Sequence, residues 1–234
     1  MNPLQAHDHG ILSGVNHLVG IDEAGRGCLA GPVMAAACCI DQNFFRDSIS
    51  LEKSSLINDS KKLDFAAREA LYQCLMDLSG DNRIRLAVAE ASVVEIDRLN
   101  ILGATRLAMQ RAVEALPPHG KDWHLPAVES EGPLFQASPE ICLLVDGLPL
   151  RPFPYAHQAL VKGDGKSLAI AAASIAAKVV RDRRMRALGE RFPQYGFEQH
   201  KGYATTAHRE SIRTHGPCPE HRSLFLRKIL SSQA

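Results

Sequence analysis

Four carboxylates carry the chemical content of this sequence: Asp22, Glu23, Asp146 and Asp164. Each stands at or just after the end of an apolar run, in "HLVGIDEAGRG", "ICLLVDG" and "HQALVKGD". Strand ends are where α/β sheets collect ligands. One acid at a strand end is ordinarily just solvated, whereas three such ends in one chain point to convergence. Converged carboxylates raise one another's pKa and call for neutralising charge. The chain has no Cys-x-x-Cys pair and no Cys/His spacing of the zinc kind. All-oxygen ligands suit hard ions, Mg²⁺ or Mn²⁺. Two such ions about 4 Å apart activate a water and stabilise a leaving oxygen in phosphoryl transfer. Neighbouring strand residues face opposite ways, so Asp22 and Glu23 share a site only if the strand ends or twists there. Gly25 and Gly27, just downstream, permit that.

The elements that must position these acids read as an α/β core. "HLVGI" and "VMAAACCI" are two buried strands separated by Gly31-Pro32, which suits an antiparallel pair within a mixed sheet. "DFAAREALYQCLMDL" is a helix with Asp64 as its cap. Residues 83–92 alternate like a half-buried strand, and residues 101–116 have helical periodicity ending at Pro117-Pro118. "ICLLVDG" is a buried strand, "HQALVKGDGKS" a second strand ending near Asp164, and "SLAIAAASIAAKVVRDRRMRALGERF" a long helix, apolar early and basic late. Strands alternating with helices define the layered core. Residues 1–16 read as a loose leader, 17–192 as the catalytic unit with a surface insertion at about 117–139, and 193–234 as a helical C-terminal part.

Overall charge is +1, yet it is uneven. The first 150 residues hold 12 Lys+Arg against 20 Asp+Glu, and the remainder 15 against 6. A basic C-terminal third suits a polyanionic partner, or is a solvated basic helix face. The six cysteines lie mostly in apolar runs and read as reduced thiols of a cytoplasmic protein. The N-terminus lacks a secretory pattern, and "SLAIAAASIAA" is too short to span a bilayer. "KGDGKS" imitates the end of a phosphate-binding loop, but the full motif needs Gly at position 160, which is Leu.

With these motifs in order, the chain resembles the bacterial ribonuclease HII family. The resemblance rests on "GIDEAGRGCLAGPV", "NDSKKL", "LNILGATRLAMQRAV", "VDG", "VKGD", "AAASIAAKVVRD", "FPQYGFEQHKGYATTAH" and "HRSLF", over about residues 17–228 apart from the 117–139 insertion. It implies a ribonuclease H-like mixed five-stranded sheet flanked by helices, with a small helical C-terminal part. It implies an endonuclease that cleaves RNA in RNA–DNA hybrids and nicks 5′ to single ribonucleotides in duplex DNA, leaving 3′-hydroxyl and 5′-phosphate ends. Asp22, Glu23, Asp146 and Asp164 fall on the family's metal-binding acids. Backbone groups of Gly25, Arg26 and Gly27 would read the ribose 2′-hydroxyl, the group that tells RNA from DNA. Tyr203 matches the tyrosine that packs on the sugar of the following deoxynucleotide. Ser60, Lys61 and Lys62 would lie along phosphates. Lys178, Arg181, Arg183 and Arg184 are expected to extend the basic surface or coat the helix, Asp182 to be an ion-pair or helix residue, and His200 and His208 to be loop and cap residues. The family's usual Pro after Gly-Arg-Gly is Cys28 here, and its usual Pro after "KGY" is Ala204. The leader, residues 1–16, is expected to be too short to hold the N-terminal binding domain of ribonuclease HIII relatives. A monomer is expected. The alternative from another class is a catalytically silent nucleic-acid binder of the same fold; a third reading, a nucleotide-binding enzyme, would rest on Lys166.

Overall fold

A computed structural model describes residues 1–57, 64–118, 123–128 and 140–230. Its centre is a five-stranded mixed sheet in the order β3-β2-β1-β4-β5. Strand β1 (His17–Ala24) pairs antiparallel with β2 (Val33–Asp41), which pairs antiparallel with β3 (Arg85–Ala91). On its other side β1 runs parallel to β4 (Ile141–Asp146), which runs parallel to β5 (Gln158–Leu160). The expected hairpin and mixed sheet are both present. Strand β5 is shorter than "HQALVKGD" suggested. It stops at Leu160, Lys162 turns left-handed, and Asp164 sits in a single 3₁₀ turn at Gly163–Gly165.

Helices cover both faces. On one, α4 (Phe65–Gly80) and α6 (Leu168–Arg191) pack over Leu18, Ala36, Cys38 and Ile40. On the other, α5 (Val93–Glu114) covers Val19, Ile21, Ala35 and Ala37. Asp64 caps α4 by accepting from the Ala67 N–H, as its position predicts. Helix α5 begins eight residues before the expected start. Ser92 and Glu95 form a reciprocal capping box, and the helix is then interrupted at Asn100 (φ 57°), whose Oδ1 recaps the second half through the N–H groups of Leu102 and Gly103. Two short helices, α2 (Gln42–Arg46) and α3 (Ser48–Ser54), follow β2. The C-terminal part is helical as expected, with α7 (Phe197–His200), α8 (Thr206–His215) and α9 (Ser223–Leu230).

The N-terminal segment departs from expectation. Residues 1–16 are not a loose leader, because Pro3–Leu12 form helix α1 with Leu4, Gln5, Asp8 and Leu12 buried. Polar contacts hold it. Asp8 accepts from the Ser167 hydroxyl (3.0 Å) and from the Ala169 N–H (2.8 Å) in the first turn of α6. The Gln5 amide donates to the Leu51 carbonyl and the Ser54 hydroxyl, both at 2.8 Å. A buried carboxylate on the first turn of a helix satisfies open N–H groups and favours the helix dipole. Within the 117–139 stretch, Trp123 returns to the sheet, under the Arg85 guanidinium (4.1 Å) and edge-on to His17.

Candidate active site

The end of the parallel pair β1–β4 places the acids. Their register runs to Ile21 opposite Val145, so Asp22 and Asp146 follow as the next residues on adjacent strands. Two glycines let neighbouring elements close in. A Cβ on Gly20 would stand 2.2 Å from the Ala169 carbonyl carbon, so only glycine lets α6 lie this close to β1. A Cβ on Gly163 would meet Ile170 at 2.6 Å, and its N–H donates to Asp146 Oδ1 at 2.6 Å. That bond ties the Asp164 turn to the end of β4.

Alternation divides the first two acids. Asp22 shares the face of Leu18 and Gly20, beneath α6, and takes a hydrogen bond from Ser174. Glu23 lies on the face of Val19 and Ile21, and its Oε1 pairs with Arg26 Nη1 at 3.1 Å. Strand β1 does not end between them, since both remain paired with β2. Asp146 is close enough to act on both. Burial holds Asp22 well above the usual carboxylate range, reinforced by the charges of Glu23 and Asp146. Burial also raises Glu23; Arg26 opposes that rise and Asp146 adds to it. Asp164 is buried at its turn, 3% exposed.

The site is therefore short of positive charge, and its donors are all carboxylate oxygens, which fits a hard divalent cation. No group of three His, Cys, Asp or Glu side chains among the described residues stands ready to hold a metal ion.

The turn after β1 is built around two buried arginines. Gly25 is left-handed (φ 94°), and a Cβ there would stand 1.9 Å from Arg181 Nε. Arg181 is fully buried, not part of a basic coat. It falls on the same α6 stripe as Ala177, Met185 and Leu188, all buried, and that spacing is the signal a reading by residue type misses. Arg222, also fully buried, approaches the turn from the start of α9, and burial lowers its pKa to about 10. The other predicted basic residues are at the surface. Lys178 pairs with Asp182 (2.6 Å), Arg183 with Glu69 (2.6 Å) and Arg184 with Glu90 (4.0 Å). Asp182 is thus an ion-pair residue, as expected. Ser60, Lys61 and Lys62 lie outside the described residues. In the phosphate-loop imitation, Ser167 caps α6 and donates to Asp8.

Tyr203 stands beside the glycine turn, 44% exposed, with Lys178 Nζ 5.8 Å and the Arg181 guanidinium 5.9 Å from its ring. The Gly202 carbonyl accepts from the Leu29 N–H at 2.8 Å, which stitches the tyrosine loop to the turn. Cys28, where the family's Pro is usual, hydrogen-bonds Tyr203, and its N–H reaches the Gly25 carbonyl at 3.4 Å. A proline there has no N–H to offer.

Behind Tyr203 runs a chain of neutral histidines. The Cys218 N–H donates to His221 Nδ1 (3.0 Å), so the His221 proton lies on Nε2 and is given to His208 Nε2 (3.1 Å). His208 then donates from Nδ1 to the Tyr203 carbonyl (2.9 Å). Burial lowers both pKa values to about 4. An unfolded histidine titrates near ~6.5, so between those values the unfolded chain binds more protons. The contribution of these rings is full above ~6.5 and is lost as pH falls toward 4, by on the order of a few kcal/mol. Urea midpoints measured from pH 7 to 4.5 should fall, and His208→Gln should flatten that fall. Parallel pH profiles for the two proteins would contradict the assignment.

Sheet order, the α6 crossing and acids at the ends of β1 and β4 together describe a ribonuclease H-like fold. Solved structures agree. Ribonuclease H2 from Pyrococcus horikoshii OT3 aligns with a TM-score of 0.66 at 23% identity, over 92% of this chain and 98% of that one. Bst-RNase HIII, solved in complex with Mn²⁺, aligns at 0.64 and 20% identity, over 99% of this chain and 74% of that one. The family model for ribonuclease HII matches residues 19–228. Ribonuclease HII of Granulibacter bethesdensis is 44% identical over 92% of this chain and 86% of its own length. That of Syntrophotalea carbinolica is 42% identical over 96% and 92%. The chain belongs to the ribonuclease HII family, and it is an enzyme of the ribonuclease H class. No helix among the described residues is long and apolar enough to cross a membrane.

Proposed function

We propose that this protein is a divalent-metal-dependent endonuclease that hydrolyses RNA in RNA–DNA hybrids and nicks 5′ to single ribonucleotides in duplex DNA. The observation that carries the reading is that Asp22 and Asp146 end adjacent parallel strands, with the Gly163 N–H tying the Asp164 turn to Asp146, next to a glycine turn and an exposed tyrosine. Asp22, Glu23, Asp146 and Asp164 would hold Mg²⁺ or Mn²⁺. When bound, the ions supply water activation and stabilisation of the leaving oxygen. The chain's own residues do the rest. The Gly163 N–H orients Asp146, Ser174 orients Asp22, and Arg26 neutralises part of the Glu23 charge. Backbone groups of Gly25, Arg26 and Gly27 meet the ribose 2′-hydroxyl, Tyr203 packs on the next sugar, and Ser60, Lys61 and Lys62 follow the phosphates. The products carry 3′-hydroxyl and 5′-phosphate ends. Six free cysteines suit the cytoplasm, where the protein would act as a monomer.

Tyr203→Ala tests the junction role. It should lower kcat/KM on a single embedded ribonucleotide by roughly tenfold more than on a long hybrid, the loss of one good stacking contact. Equal losses on both substrates would remove that role.

A further inference from the structure

The guanidinium groups of Arg181 and Arg222 donate their hydrogen bonds to main-chain carbonyls. Arg222 donates from Nε to Gly31 (2.9 Å), from Nη1 to Arg26 (2.9 Å) and from Nη2 to Pro32 (3.1 Å). Arg181 donates from Nε to Pro32 (3.3 Å), from Nη2 to Ala30 (3.2 Å) and from Nη1 to Lys201 (2.9 Å). The Arg222 N–H adds a bond to the Leu29 carbonyl at 2.8 Å. Burying two guanidinium charges is costly unless their donors are met. Here the glycine turn meets them, and it is shaped by doing so.

Peptide planarity carries the consequence. The Arg26 carbonyl and the Gly27 N–H belong to one trans peptide unit and point in opposite directions. When Arg222 draws that carbonyl inward, the Gly27 N–H is turned the opposite way, and Gly27 is itself exposed, with nothing within 4 Å of where a Cβ would stand. Arg181 acts at a second point. It bonds the turn through Ala30 and Pro32 and the tyrosine loop through Lys201, two residues before Tyr203.

We infer that Arg222 and Arg181 are positioning residues for ribonucleotide recognition: Arg222 sets the Arg26–Gly27 peptide toward the 2′-hydroxyl, and Arg181 fixes the spacing between that peptide and Tyr203. This rests on the reading of the glycine turn as the 2′-hydroxyl reader. A lysine keeps the charge but lacks the planar fork that reaches several carbonyls at once.

The test is the ratio of Kd values for an all-DNA duplex and the same duplex with one ribonucleotide, measured by fluorescence anisotropy in Ca²⁺. Wild-type protein should favour the ribonucleotide. Arg222→Lys should lose about tenfold of that preference, the worth of one charge-assisted hydrogen bond, with all-DNA affinity unchanged. The amide signal of Gly27 in ¹⁵N-glycine-labelled protein should shift. A folded Arg222→Lys with lower Tm but wild-type preference overturns the inference, since that is what a purely structural role gives. If Arg222→Lys does not fold, Arg181→Lys decides. It should lower the ratio of kcat/KM on a single embedded ribonucleotide to that on a long hybrid by about tenfold, and an unchanged ratio overturns the inference. Absence of preference in the wild type would instead reject the 2′-hydroxyl reading itself, and this inference with it.

Discussion

Asp146→Asn should abolish cleavage while leaving the protein folded and able to bind duplex. The substitution removes one negative charge and little else. Asn keeps a carbonyl oxygen in place of the one that accepts the Gly163 N–H at 2.6 Å, so the Asp164 turn stays tied to β4. Removing the charge also relieves its repulsion of Asp22 and Glu23. Stability should therefore hold or rise slightly, and affinity for polyanionic duplex should not fall. What is lost is the acid beside Asp22 at the end of β4, and with it several kcal/mol of transition-state stabilisation, roughly a thousandfold in kcat. Single-turnover cleavage, urea denaturation and duplex binding separate these effects. Near-wild-type turnover would remove Asp146 from the catalytic set.

Gly20→Ala should be the most damaging single-methyl change in the sheet. The added Cβ would stand 2.2 Å from the Ala169 carbonyl carbon and 2.3 Å from the Ile170 N, both backbone atoms of α6. Backbone cannot turn aside as a side chain can. Helix α6 is further pinned at this point by Asp8, through Ala169 and Ser167. Relief requires lifting the whole first turn, at a cost of about 3 kcal/mol or more. Ser174, which bonds Asp22, lies in the second turn of the same helix, so activity should fall even where the variant remains folded. Urea denaturation followed by circular dichroism checks the first effect. An unchanged midpoint would mean that α6 does not lie on β1 as described.

Much of this was legible in the residues, for identifiable reasons. The β1–β2 hairpin announced itself through two apolar runs parted by Gly31-Pro32, and the Asp64 cap through its place before a periodic run. The alternation rule also held. Asp22 and Glu23 do face opposite ways, and the charge of Asp146 on the neighbouring strand acts on both. Helix α1 escaped because its docking depends on buried polar groups, Gln5 and Asp8, which a hydrophobic pattern does not register. The early start of α5 was written in "SVVE", a capping box, but Asn100 breaks the periodicity that would have extended the helix back to it. Arg181 read as surface because arginine ordinarily is; only its spacing from Ala177 and Met185 marked it as interior. Arg222 and His221 open the motif "HRSLF", which carries the family resemblance without showing what either side chain does. Their roles come from long-range contacts with residues 26–32 and with His208.

The most direct test of the central claim uses a labelled DNA duplex with one ribonucleotide beside an all-DNA duplex of the same sequence. Each is incubated with the purified protein in Mg²⁺, in Mn²⁺ and in chelator, and the cut is mapped to the nucleotide. The account predicts a single metal-dependent nick 5′ to the ribonucleotide, with a 3′-hydroxyl end, and an intact all-DNA duplex. Binding without a cut in either metal, or a cut that persists in chelator, would contradict it.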